Sequence, residues 1–126
     1  MPVNKSIRDE EKERINAILK KLIELTHVPN FGTLEMDEHW KSLGLTTDIL
    51  LKFSGMELIL HLEKLHFDWE NTENFADYLV ILSEKLVAEK SNLIEKAVLI
   101  YNYIQNESKT FSFEIFGKIG VVKGRL

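Results

Sequence analysis

Asp48 to Phe67 read DILLKFSGMELILHLEKLHF. At about 100° per residue, Ile49, Phe53, Met56, Leu60 and Phe67 fall on one side of a helix. Leu51, Leu58, Leu62 and Leu65 fall on the opposite side, with Lys52, Glu57, Glu63 and Lys64 in the strips between. A helix that is apolar on two sides needs cover from two directions, so this stretch is expected inside a helical assembly. Charge interrupts it too often for a membrane span, which needs about 20 mostly apolar residues. Ser54-Gly55-Met56-Glu57 has the S-x-x-E pattern of a capping box, which starts helices. The stretch is therefore read as two helices, one ending near Phe53 and the next opening at Ser54.

Working towards the N-terminus, Thr33 is a cap for a short helix that runs to about Leu43 and stops at Gly44. Leu34, Trp40 and Leu43 are its expected anchors, with Met36 as a further candidate. His27-Val28-Pro29-Asn30 breaks the chain before it, because the residue preceding a proline avoids the helical region. Ile15, Ile18, Leu19, Leu22 and Leu25 trace one stripe, with Ile23 at its edge, so a helix is expected from about Ser6 to His27. Met1 to Lys5 is read as a loose tail.

Towards the C-terminus, Asp68 to Thr72 is read as a turn. Phe75, Tyr78, Leu79, Leu82 and Leu86 then mark an amphipathic helix from about Thr72 to Glu89. Ser91 or Asn92 caps another, whose stripe is Leu93, Ala97, Ile100 and Ile104, widened by Ile94 and Tyr101. In the tail, Thr110 to Ile115 alternates like a strand, yet Ile115, Ile119, Val122 and Leu126 keep helical spacing. A lone strand would have nothing to pair with, so a helix capped by Ser112 is expected. The chain as a whole is read as a single all-α domain, a compact bundle of five or six helices in antiparallel hairpins, with no substantial sheet.

The 126 residues are 44% hydrophobic, enough for a core. The absence of cysteine excludes disulfides, thiolate metal sites and a cysteine nucleophile, and fits a reducing, cytoplasmic setting. A net charge of −4, with the signs interspersed, argues against nucleic acid as a partner. Acids near the N-terminus occupy the place where an export signal needs an apolar run.

Two E-x-x-H pairs, Glu24/His27 and Glu63/His66, have the spacing used by di-iron carboxylate bundles. Glu24 is turned away from its helix's apolar stripe, so only Glu63 and His66, with His61, are kept as metal or small-ligand candidates. His61 and His66 are about 140° apart around a helix, which makes a shared ion hard to build. His61 also lies one turn after Glu57, an acid–base spacing. No nucleophile elbow and no phosphate loop is present. Trp40-Lys41-Ser42-Leu43-Gly44 resembles the opening of a tetratricopeptide repeat. However, Thr47 stands in place of the repeat's tyrosine and Met56 and Glu63 in place of its small alanines, and no second copy follows. The segment is read as a glycine-terminated helix.

The aromatic group Tyr101, Tyr103, Phe111, Phe113 and Phe116 is the candidate interaction surface. Tyr101 and Tyr103 are about 200° apart on their helix, so one core cannot take both. The expected protein is soluble and works by contact with a protein partner or with itself, with no cofactor and no membrane. One rival is the site at Glu63, His66 and His61. The other is an antitoxin- or immunity-type partner whose acidic surface masks a basic target.

Overall fold

A computed structural model describes residues 7–30 and 32–126. The Met1–Lys5 tail and Ser6, the expected start of the first helix, lie outside them. The described residues form seven α-helices with no strand among them: α1 (Ile7–Thr26), α2 (Thr33–Trp40), α3 (Thr47–Lys52), α4 (Gly55–Lys64), α5 (Trp69–Lys85), α6 (Lys90–Glu107) and α7 (Phe113–Lys123). The bundle is thus all-α, with seven helices among the described residues in place of the five or six expected, and with the segment after Gly44 divided in two as its capping box implied. Short 3-10 turns extend α2 and precede α6. No helix of the described residues is long and apolar enough to cross a membrane.

The break at Ser54 has the chemistry read from the sequence. Its hydroxyl accepts from the Glu57 amide, and the Glu57 carboxylate accepts from the Ser54 amide. The expectation of two covered sides is overturned. Leu58, Ile59 and Leu62 are buried, whereas Met56 and Leu60 are 56% and 51% exposed. The kink explains this. The register of Ile49 and Phe53 does not carry across it, so α4 buries an arc centred on Leu58 and Ile59 and leaves Met56 and Leu60 outside.

Trp40 is fully buried at the centre, edge-on to Phe75 at 5.6 Å and to Tyr78 at 5.3 Å. The Tyr78 hydroxyl feels the indole N–H, yet no acceptor meets Nε1 in hydrogen-bond geometry. Met36 joins this core, and Leu34, an expected anchor, is instead 81% exposed. Gly44 ends the turn after α2 in the left-handed region, φ 67°.

Polar side chains tie distant segments together. Asn71, buried on α5, closes a capping box with Asp68 and donates to the Lys12 carbonyl and to Asn16 Oδ1 on α1. Asp37 on α2 accepts from the Thr47 amide and hydroxyl at the start of α3. At the other end of α3, Lys96 Nζ donates to the Leu50 and Leu51 carbonyls, and Asn92 donates to Leu51. These two α6 side chains satisfy carbonyls that the helix leaves open at its end. Burial pulls the Lys96 ammonium below its usual range, against the opposing pull of Glu89 and Glu57.

Candidate functional site

The last helix departs from the usual surface pattern. Ser112 caps α7 by accepting from the Ile115 amide, and Gln105 on α6 clasps Ser112 through reciprocal bonds to its amide and carbonyl. Ile115 and Val122 turn inward and are buried. Lys118 also turns towards the bundle. Its Nζ lies 2.6 Å from Glu73 and 3.1 Å from Asp77, both on α5. Asp77 also accepts from the Tyr101 hydroxyl. Arg125 reaches Glu84, so contacts with α5 climb together along both helices and α7 runs alongside α5 in the same sense.

With its lysine turned inward, α7 presents an apolar exterior. Phe113, Phe116, Gly117, Gly120, Val121 and Gly124 share the outer arc, with Glu114 and Lys123 at its margins. Phe113 is 83% exposed, Phe116 63% and Val121 63%. Phe111, from the preceding loop, packs edge-on to Phe113 at 5.0 Å and lies 5.9 Å from Phe116. Each helical glycine costs about 1 kcal/mol relative to alanine. Packing within this chain does not require two of them, since a methyl group built on Gly117 or Gly120 would meet nothing within 4 Å. Beside this arc, an apolar groove of about 450 Å³ opens between α5 and α7, walled by Val80, Ile81, Gly117 and Val121.

The candidate aromatic residues therefore divide. Phe111, Phe113 and Phe116 form one exposed cluster. Tyr101 is buried in the α5–α6–α7 junction, where burial first, and then Asp77, hold its hydroxyl well above the usual phenol range. Tyr103 points elsewhere, to Trp69 at 5.6 Å and to the Glu63 carboxylate. Val122 is buried, as its place in the Ile115–Ile119–Val122 spacing implied, while Val121, which that stripe leaves out, joins the exposed arc.

Lys118 and Tyr101 give the junction a defined pH response. Burial lowers the Lys118 pKa, but the Glu73 and Asp77 carboxylates outweigh it, and the net shift is upward. Both groups thus hold protons in the folded chain that the unfolded chain releases from about pH 10 upward. Stability from this junction is complete below that point and falls as pH rises through the folded-state values. Urea midpoints measured at rising pH should drop above about pH 10, and Lys118→Met should flatten that drop. An unchanged slope in Lys118→Met would remove the ion cluster from this role.

The residues considered for metal binding are not brought together. His61 Nε2 is 3.0 Å from the Leu43 carbonyl oxygen, Glu63 accepts from Tyr103, and His66 is exposed at a positive φ. Glu57 is occupied in its capping box. Glu24 and His27 are both exposed. No group of three or more potential ligands converges among the described residues. A cleft of about 510 Å³ lies beside Glu63 and His66, lined also by Arg8, Lys12, Trp69 and Tyr103. Lys12 in it is engaged, pairing with Glu70 at 2.7 Å and with Asp68 at 3.4 Å. The Tyr103 hydroxyl, pushed up to about 12 by burial and by Glu63, stays protonated at neutral pH.

No family model matches the sequence, and comparison with curated proteins and with solved structures finds no match. The functional argument therefore rests on the residues themselves.

Proposed function

We propose that this chain works through protein contact, and that the contact surface is the outer face of α7 with Phe111 beside it. The observation that carries this reading is the inversion of the helix. Its well-paired cation, Lys118, faces the bundle, while Phe113, Phe116 and Val121 face outward. A surface helix normally shows its polar side to water. Phe111 packs against both Phe113 and Phe116, and three phenylalanines exposed in one place form an apolar patch, the kind that marks an interaction site. The net charge of −4 and the paired state of Lys118 and Arg125 favour a protein partner over nucleic acid.

The test is a photo-crosslinking residue placed at position 113 in one variant and at Glu38 on α2 in another, each expressed in native cells. Position 113 should give discrete protein adducts and position 38 should give none. Equal adduct yields at the two positions would end the reading.

A further inference from the structure

We infer that the partner is a second copy of this chain, held by an antiparallel pairing of α7 with its counterpart across a two-fold axis. This inference rests on α7 being the contact surface. It follows from how the outer arc is ordered along the helix. Take an axis that crosses α7 midway between Lys118 and Ile119, normal to the exposed face. On an α-helix it brings Gly117 over the second copy's Gly120, Phe116 over its Val121, and Phe113 over its Gly124. Each large residue thus meets a small or concave one. Phe116 also arrives at the groove bounded by Val80, Ile81 and Val121.

The same axis settles the charges. Glu114 lies at one margin of the arc and Lys123 at the other, and the rotation sets each Glu114 opposite a Lys123. Parallel alignment would not do this. The glycines also acquire a reason. Open space over Gly117 and Gly120 lets two helix backbones approach closer than the about 8–10 Å of ordinary helix packing.

The area suffices. A fully exposed phenylalanine offers about 150–250 Å², so the three rings, at 57%, 83% and 63% exposure, present about 300–500 Å² per copy. Two copies offer up to about 600–1,000 Å² from the rings, and Val121 with the glycine backbone carries the upper end of that range past the about 1,000 Å² a specific interface needs.

The experiment is light scattering coupled to size exclusion, over a micromolar concentration series. Wild type should have twice the chain mass. Glu114→Lys and Lys123→Glu should each weaken the dimer about tenfold, because each sets like charges opposite one another twice. Mixed together, the two variants should form a heterodimer, since both contacts are then opposite in sign. Gly120→Ala should raise the melting temperature of the chain while loosening the dimer, a combination that a purely structural glycine would not show. Wild type that stays monomeric, or variants that fail to complement on mixing, would overturn the dimer. Monomeric chain that floats with vesicles of phosphatidylcholine and phosphatidylserine would overturn it in favour of a lipid surface. A position-113 adduct of mass other than two chains would overturn the dimer and leave the contact surface standing, whereas no adduct would remove both.

Discussion

Trp40→Ala is expected to destabilise the fold by about 3–5 kcal/mol, a large share of the about 5–15 kcal/mol that holds a domain together. Trp40 has no solvent exposure and meets Phe75 and Tyr78 edge-on, so its removal opens a void where α2 joins α5. The loss should appear as a lower urea midpoint by far-ultraviolet circular dichroism. A second variant measures how much of the loss is ring packing. The indole N–H meets no acceptor in good hydrogen-bond geometry and only feels the nearby Tyr78 hydroxyl, so its desolvation, at about 1–3 kcal/mol, is only partly compensated. Trp40→Phe keeps a ring against Phe75 and discards that donor, so its cost should be less than half that of alanine. If the two variants were equally unstable, a ring kept against Phe75 and Tyr78 would contribute nothing to the core. If Trp40→Ala stayed within about 1 kcal/mol of wild type, Trp40 would not be the centre of the core.

Asn71→Ala should cost about 2–4 kcal/mol, an unusual penalty for a small polar residue. Asn71 accepts from the Asp68 amide to complete the cap of α5, and its amide nitrogen reaches both the Lys12 carbonyl and Asn16 on α1. Alanine removes all three bonds at a buried position. Asn71→Asp retains an acceptor for the cap and loses the donors to α1, so it should recover part of the loss. Hydrogen exchange adds a spatial check: amides at the start of α5 and in the facing turn of α1 should lose protection first. Uniform loss across all helices would mean that Asn71 does not join these two elements in particular.

How much of this was legible depended on how local the cause was. The Ser54–Glu57 box and the Ser112 cap are short-range chemistry, and both stand where the spacing put them. The stripes Ile15–Leu19–Leu22 and Phe75–Tyr78–Leu79–Leu82 are likewise buried, because a helix's own period marks its inner face. The start of α5 was placed too late. Asn71 does at the third position what glutamate usually does, so Asp68 to Thr72 looked like a turn. The start of α6 was also misplaced: Glu89 precedes it with no side-chain cap, and Asn92 lies inside the helix, bonded to α3. Met56 and Leu60 were expected to be covered because the register was continued through a kink. That Tyr101 and Tyr103 part company was legible from their angle on the helix, but where each one goes was not. Tyr101 is drawn into the junction by Asp77 and Tyr103 out to Glu63, from 24 and 40 residues away in sequence.

Lys96 and Asn92 carry a consequence for synthesis. The six-residue α3 is far too short to persist alone, and its open carbonyls are closed by side chains that lie more than 40 residues later. A ribosome releases α3 well before it releases its clasp. The end of α3 therefore stays open until α6 emerges, and that corner of the bundle closes among the last.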